Sequence, residues 1–224
     1  MTKKKSKLNS DEELAAEQEV QNQILIYDTP TEPDGPKLRL ISLYGEVDED
    51  RAADITYAFR ILKETCAEAP EGEGEDSGKE EEVAEEKEPI EFIISTYGGS
   101  AAEMFAIYDT MRMVKEECEI HTLGLGKVMS AGVLLLAAGT KGKRKIAKNC
   151  RVMMHSVIGG SAGAIHSLEN EMEEIRFTQK QHIECLLEET NMTRAYLKRL
   201  LNKRVNVYLT AEEAVELGIA DEIV

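Results

Sequence analysis

The chain has 224 residues, and its 43 acidic against 27 basic side chains give a formal net charge of −16. This length accommodates one or two domains with a sizeable core, and no apolar stretch approaches the roughly 20 residues of a membrane-spanning helix. Because a nucleic-acid-binding surface needs clustered Lys and Arg against the phosphates, the acidic balance argues against one. We therefore expect a cytoplasmic globular protein that binds neither nucleic acid nor membrane.

The N-terminus and the cysteines point to the same compartment. The first residues, MTKKKSKLNSDEEL, begin basic but lack a following apolar core, so no secretory signal is expected. The cysteines are scattered, with no CxxC pair and no histidine at zinc-finger spacing: Cys66, Cys118, Cys150 and Cys185. This pattern predicts free thiols of a reducing compartment and supports neither a zinc site nor a disulfide framework.

The negative charge is concentrated in one segment. Residues 71–88 hold ten acidic side chains and two lysines without apolar periodicity, which predicts a disordered or loosely helical insertion at about 65–88. The first residues, rich in Lys, Glu and Gln, predict a flexible N-terminal segment over 1–24. We therefore expect one domain over 25–224, interrupted by the acidic insertion.

The first half of the predicted domain alternates strand and helix. A strand over 38–44 ends at Gly45, and Asp48 or Asp50 then caps a helix. The apolar residues predicted on the buried face of this helix are Ile55, Phe59, Ile61 and Leu62. Residues 90–95 are mostly apolar and β-branched, which favours a strand covered on both faces.

A second helix follows the turn at 97–100, which reads YGGS. Its apolar residues recur at spacings of three and four, as in a helix with one buried face: Met104, Ile107, Tyr108, Met111 and Val114. Another strand is predicted near 120–125. The segment SAGVLLLAA at 130–138 is apolar all round, so we expect a short helix inside the core.

The remaining elements complete the alternation. They are a strand over 151–154, helices over about 165–189 and 193–203, a last helix opened by a capping box at 210–213 and ended by Gly218, and a closing strand over 219–224. Repeated alternation of strand and helix predicts an α/β fold with a largely parallel sheet in a single domain.

Two junctions could take part in acyl transfer, which needs a nucleophile, a base and donors for the oxyanion. Gly98-Gly99 lies between a strand and a helix, where paired glycines either bring backbone N–H groups to a ligand or merely permit a turn. Ser130 starts the apolar helix, where it is either a nucleophile at the positive end of the helix dipole or an ordinary N-cap. In the first case the N–H of Ala131 would be free for the oxyanion.

Among the four histidines, His155 is the candidate for a general base. It follows three apolar strand residues, so we expect it at a sheet edge inside a cleft, although a structural histidine would have the same pattern. His121 lies in a predicted strand. His166 and His182 fall on the long helix among polar neighbours, which predicts a solvated face.

Five ordered blocks of the sequence together resemble the ClpP family, the proteolytic subunits of the Clp protease. The blocks are GGS at 98–100, FAIYDTM at 105–111, MSAGVLLLAAGTKGKR at 129–144, RVMMHSVIGG at 151–160 and YLTAEEAVELGIAD at 208–221. The resemblance runs from about Leu38 to the C-terminus and is interrupted by the acidic insertion.

The resemblance implies a fold shared with the crotonases, a spiral of ββα units. A long helix and a strand opened by Gly159-Gly160 would project for ring assembly. The family's subunits form heptameric rings, stacked as a tetradecamer around a chamber into which a Clp-type AAA+ unfoldase, driven by ATP, feeds unfolded polypeptides. No metal, nucleotide or organic cofactor is implied within this chain.

The resemblance also implies a serine endopeptidase. Carried over by position, Ser130 is the nucleophile, His155 is the general base, and the N–H groups of Gly99 and Ala131 form the oxyanion hole. Asn206 stands where the family has its catalytic aspartate. An amide there can orient the histidine but cannot stabilise its positive charge, which leaves the level of activity open.

Further departures from the family pattern bear on the acid and on assembly. Glu212 and Asp221 are acids near Asn206 in sequence that could replace the aspartate. Val205 stands where the family usually has an arginine that helps to tie the rings together, and this departure bears on ring stacking. The acidic insertion is foreign to the family pattern.

Three alternatives stay open beside the active peptidase. The first is a weak or inactive ring subunit or adaptor, motivated by Asn206. The second is a crotonase-type enzyme that binds acyl-CoA on the same scaffold, and the third is a relative of signal-peptide peptidases with a dyad of Ser130 and Lys127. The basic run KGKRK at 141–145 is interpreted as a structural turn rather than a nucleic-acid site.

Overall fold

A computed structural model describes residues 39–67, 88–201 and 206–224. The predicted N-terminal segment 1–24, nearly all of the acidic insertion and Val205 lie outside the described residues. In chain order the elements are β1 (Leu40–Val47), α1 (Glu49–Glu64), a 3-10 turn (Thr65–Ala67), β2 (Ile90–Gly99), α2 (Ala101–Lys115), β3 (Ile120–Met129), α3 (Ala131–Ala137), β4 (Arg144–Ile146), β5 (Arg151–Met154), α4 (Ile165–Glu189), α5 (Arg194–Leu201), β6 (Val207–Leu209), α6 (Ala211–Glu216) and β7 (Glu222–Ile223).

A seven-stranded, mostly parallel sheet organises the described residues. Strands β1, β2, β3, β4 and β7 are successive neighbours and all pair in parallel. Strand β5 pairs in parallel with the carboxyl half of β3, and β6 lies antiparallel beside β5. Parallel neighbours require crossover connections, which helices supply here. The predicted α/β class with a largely parallel sheet is confirmed.

The described helices bury one face, and α3 buries all of its residues. Every apolar residue predicted for α2 is buried, and so are all seven residues of α3, as expected for a helix without a polar side. Asp48 caps α1 and accepts the N–H of Arg51 at 2.9 Å. None of the described helices combines the length and apolarity of a membrane span.

The buried face of α1 differs from the prediction at Ile61. Ile55 and Phe59 are fully buried, and the Phe59 ring meets Phe92 of β2 edge-on at 5.2 Å between centroids. The helix face that carries residues 55 and 59 therefore packs against the sheet. Ile61 lies off that face and is 47% exposed, so its predicted burial is wrong.

Three strands run further than predicted because glycines allow the pairing to continue. β1 passes through Gly45, whose φ is 90°, and the register shifts there by one residue. β2 continues to Gly99, and β3 continues through Gly126 at φ 62° to Met129. Left-handed glycines accommodate β-bulges without ending a strand. The predicted ends at Gly45, 95 and 125 are therefore wrong.

The C-terminal third follows the prediction more closely. The capping box of α6 is present between Thr210 and Glu213, and Gly218 follows the helix at φ 72°. The closing strand is shorter than predicted, at Glu222–Ile223. The strand expected from Gly159 is not formed within the described chain: residues 155–164 pair with no described strand, and a strand needs a neighbour to bond to.

Two cysteines expected to be free are joined instead. Cys66 in the 3-10 turn after α1 forms a disulfide with Cys118, just after α2, and their Cα atoms are 6.2 Å apart. The prediction of four free thiols is wrong because packing of α1 beside α2 unites residues separated by 52 positions in sequence. Cys150 and Cys185 are free. Since disulfides persist mainly in oxidising compartments, the cysteines no longer indicate a reducing one.

Candidate active site

The carboxyl ends of β2, β3 and β5 meet at one edge of the sheet. These strands are neighbours in the order β2, β3, β5, and this edge of a parallel sheet is where α/β folds bind ligands. A cleft of about 460 Å³ opens there, and its lining includes Gly99, Ser130, Ala131 and His155. The structure therefore brings four of the five sequence-predicted site residues together.

Ser130 occupies a strained turn between β3 and α3. Its φ of 53° and ψ of −119° make it the one non-glycine residue of positive φ in the described ranges. Its N–H donates to the carbonyl of Met153 in β5 at 2.8 Å. The side chain makes no cap hydrogen bond to α3, so the interpretation of Ser130 as an ordinary N-cap is wrong.

Two glycines make room for the Ser130 side chain and for the end of β1. Gly98 has a φ of 101°, and a Cβ added to it would lie 2.5 Å from the Cβ of Ser130. A Cβ on Gly99 would overlap the carbonyl of Val47. The turn is fixed from both sides, because Gly98 donates its N–H to Thr96 Oγ1 at 2.9 Å and Ser100 donates its N–H to Val47 at 2.8 Å. Without side chains at these two positions, the backbone of the turn can lie directly against Ser130 and against Val47.

A backbone carbonyl fixes the orientation of the His155 ring. The Nδ1 atom lies 2.6 Å from the carbonyl oxygen of Ser156. Since a carbonyl oxygen only accepts hydrogen bonds, Nδ1 carries the proton in this contact and Nε2 is the unprotonated nitrogen of the neutral ring. His155 is therefore held in the tautomer that a general base uses at Nε2.

Asn206 lies opposite His155 but does not line the cleft. The antiparallel register of β5 and β6 pairs Met154 with Val207, so the next step along the two chains faces His155 with Asn206. Side chains at directly opposite positions lie on the same face of a sheet. Asn206 is exposed to solvent, and the described residues contribute no hydrogen bond between its side chain and His155.

His182 is a cleft residue that the sequence interpretation missed. Instead of lying on a solvated face, its side chain is 8% exposed and lines the cleft with His155. Burial, with a smaller effect of nearby His155, lowers the pKa of His182 to about 4. A signal was available: His182 stands four residues before buried Leu186 on α4, at the spacing of one helix face.

The other ionisable candidates lie outside the cleft lining. The Lys127 ammonium stands over the Tyr97 ring, 4.7 Å from its centroid. Asp221 is paired with buried Arg144, which lowers the pKa of that carboxyl. Glu212 begins α6. Within the described ranges, no group of three or more His, Cys, Asp or Glu side chains could hold a metal ion.

Comparison with known proteins shows the family of this chain. A sequence model of the family described as Clp protease matches residues 81–224, more than half of the chain. The chain belongs to the Clp protease family. The protein named "ATP-dependent Clp protease proteolytic subunit 2" of Corynebacterium jeikeium (strain K411) is 36% identical over 186 residues, which cover 83% of this chain and 78% of that protein.

Membership of the Clp protease family gives the general class of activity. The chain is a protease of the hydrolase class, and the resemblance drawn from the five sequence blocks is confirmed. Clp proteases work as oligomers with Clp ATPases. The match favours a peptidase over the crotonase and signal-peptide-peptidase alternatives, and Lys127, stacked on Tyr97, offers no support for the latter.

Proposed function

We propose that the chain is a serine endopeptidase with Ser130 as nucleophile, His155 as general base and Asn206 as the third catalytic residue. The N–H groups of Gly99 and Ala131 would form the oxyanion hole. The observation that carries the proposal is the convergence of Ser130, His155, Gly99 and Ala131 on one cleft at the carboxyl ends of three neighbouring strands. The strained conformation of Ser130 adds support, since such strain is concentrated at functional sites.

The proposed reaction is a two-step acyl transfer. Ser130 Oγ attacks the peptide carbonyl carbon while His155 Nε2 takes the hydroxyl proton, and the two N–H groups bind the oxygen that becomes negative. The C–N bond then breaks as His155 returns the proton to the leaving amine. Water, activated by His155, hydrolyses the acyl ester and restores the Ser130 hydroxyl.

Active-site labelling tests the assignment of the nucleophile. A serine-directed fluorophosphonate should add its mass to Ser130 and not to Ser156, which lines the same cleft but donates its hydroxyl to the carbonyl of Leu201 at 2.7 Å. Ser130→Ala should abolish labelling, whereas Ser156→Ala should retain it. Labelling of Ser156, or labelling that survives Ser130→Ala, would contradict the proposal.

We further propose assembly into heptameric rings stacked as a tetradecamer, fed by an ATP-driven unfoldase with unfolded polypeptides. The proposal is supported by the exposed first half of α4, where Ile165 is 73%, Leu168 38% and Met172 47% exposed at spacings of three and four. Such an exposed apolar stripe on a helix is typical of an interface. The relative's printed name, a proteolytic subunit of an ATP-dependent protease, points the same way.

The remaining assignments are proposed with the activity. The peptidase domain would span 25–224, with the flexible segment at 1–24 and the acidic insertion at about 65–88. The chemistry uses no cofactor in this chain. The cytoplasm remains the proposed location, because an ATP-driven partner needs a compartment that holds ATP, and cell fractionation tests it.

A weak or inactive ring subunit is the second candidate, favoured by one observation. Asn206 provides no negative charge opposite His155 to stabilise the imidazolium. Turnover of a fluorogenic peptide by the assembled wild-type protein separates the candidates. Wild-type turnover that Ser130→Ala abolishes supports the active enzyme. Wild-type turnover no higher than that of Ser130→Ala supports the inactive subunit.

A further inference from the structure

His182 has a buried ring nitrogen without a partner, beside the candidate catalytic pair. The side chain is 8% exposed, and its Nε2 makes no hydrogen bond to any group that the structure describes. Buried polar atoms in proteins are nearly always hydrogen-bonded, and an exception needs an explanation. The exposed part of His182 lines the cleft, so a side chain that enters the cleft and turns the ring can supply the absent partner.

The floor of the cleft locates that group. The buried side chains of the lining are Met104 of α2, Ala131 of α3 and His182 of α4. Ala131 directly follows Ser130, so this floor lies beside the carbonyl that Ser130 would attack. The side chain of the substrate residue that carries this carbonyl would therefore enter towards His182.

Helix α4, which carries His182, packs against the segment after β5. One turn earlier, Gln179 accepts the N–H of Val157 at 2.7 Å through its side-chain oxygen, which ties the segment after β5 to the helix. A Cβ added to Gly159 would overlap Ile175 on the same helix, so the segment lies directly against α4. His182 follows Ile175 and Gln179 at spacings of four and three, so it lies on the face of α4 that packs against this segment.

The charge of His182 decides which side chains suit it. With its pKa lowered to about 4, the ring is neutral near pH 7, with one donor and one acceptor nitrogen. A carboxylate would gain no ion pair with a neutral ring, and an apolar group would leave Nε2 unpartnered. A primary amide offers both a donor and an acceptor, so it satisfies Nε2 in either tautomer.

We infer that His182 is a specificity-determining residue that favours an amide side chain, Gln above all, at the substrate residue whose carbonyl is attacked. The inference rests on the proposed peptidase function. Met is the apolar comparison because its side chain has nearly the same length as that of Gln.

Peptides with a coumarin leaving group directly after Gln or Met test the inference. The ratio of kcat/KM for the Gln peptide to that for the Met peptide should fall about tenfold in His182→Met, because one hydrogen bond is lost. In His182→Gln, which keeps a hydrogen-bonding group, it should stay within about threefold of the wild-type ratio. The ratio removes changes in overall activity, and native mass checks assembly.

The same ratio in all three proteins would overturn the inference while leaving the peptidase intact. Failure of the proposed function looks different: Ser130→Ala would then cleave both peptides as fast as the wild type. If neither variant assembles, the test uses the ratio of kcat/KM for the two peptides in the wild-type protein. Cleavage of the Gln peptide more than about tenfold slower than cleavage of the Met peptide would overturn the inferred preference for an amide.

Discussion

A methyl group on Gly98 would occupy space that the Ser130 side chain uses. We expect Gly98→Ala to lower kcat/KM about 100-fold or more, because displacement of the nucleophile by even 1 Å is costly. Gly142→Ala is the matched control. Gly142 also has a left-handed φ, 82° against 101°, but a Cβ there meets nothing within 4 Å.

The comparison of the two glycine variants separates catalysis from stability. Gly142→Ala should lower the free energy of unfolding by about 1–2 kcal/mol, since it forces a left-handed alanine. Gly98→Ala should lower it further, because its methyl group also overlaps Ser130. Gly142→Ala should nevertheless keep nearly wild-type turnover. Equal losses of activity in the two variants, measured on assembled protein, would show that the space beside Ser130 is not needed.

The carbonyl of Ser156 makes the effect of Asn206 smaller than in a triad that depends on its aspartate. Because that carbonyl already fixes the His155 tautomer, we expect Asn206→Ala to lower kcat/KM less than about tenfold. Asn206→Asp should raise it about tenfold, because a carboxylate stabilises the imidazolium. A negative charge favours the protonated ring, so the acid limb of the pH–rate profile should move to higher pH.

An unchanged pH profile in Asn206→Asp would contradict the register that faces His155 with position 206. The control variant for this pH–rate profile is Glu212→Gln. It removes a charge from α6 beyond the cleft lining, so the acid limb of the profile should not move. Asn202→Asp is not used, because residues 202–205 lie outside the described ranges.

At the residue scale, motifs in the sequence predicted which residues line the cleft, but they did not predict whether a single side chain is buried. Ser130, His155, Gly99 and Ala131 were predicted from local patterns and a family resemblance, and the fold brings all four to one cleft. His182 was assigned to a solvated face because its immediate neighbours are polar. Its burial depends on which side of α4 packs against the segment after β5, which only tertiary structure decides.

At the scale of elements, the Cys66–Cys118 disulfide joins the end of α1 to the end of α2. We expect Cys118→Ala to lower the free energy of unfolding by about 2–4 kcal/mol, because the bridge restricts a long loop of the unfolded chain. Cys185→Ala, which removes a free and half-buried thiol, is the control and should cost less. Denaturant unfolding measures both.

Reduction provides the second arm of this test. Dithiothreitol should lower the Tm of the wild type and of Cys185→Ala, but not that of Cys118→Ala. If dithiothreitol leaves the Tm of the wild type unchanged, the disulfide does not stabilise the fold. The thiol content of protein trapped in cells would also report on its compartment, since cytoplasmic thiols are kept reduced.

The elements themselves were predicted from periodicity, while their ends and long-range pairings were not. Helices α2 and α3 follow the apolar patterns read from the sequence, and α4 has the predicted bounds. The ends of β1, β2 and β3 were placed too early, because a glycine that ends a strand and one that forms a bulge look alike in sequence. The disulfide could not be predicted, since spacing alone does not reveal which helices pack together.

At the scale of the whole molecule, the exposed stripe on α4 should be covered by other copies of the chain. We expect Met172→Glu to lower the native mass, because a buried carboxylate would lack a partner in the interface. His166→Glu changes a residue whose side chain is 94% exposed and should leave the mass unchanged. An oligomer that tolerates Met172→Glu would place the interface elsewhere.

The central claim is that Ser130 and His155 form the catalytic pair of a peptidase. The most direct measurement is kcat/KM for a fluorogenic peptide in the assembled wild type and in Ser130→Ala, with native mass recorded for both. The account predicts a loss of about 1000-fold or more at unchanged mass, since removal of the nucleophile disables the catalytic unit. A variant of unchanged mass that keeps a tenth or more of the wild-type kcat/KM would contradict it.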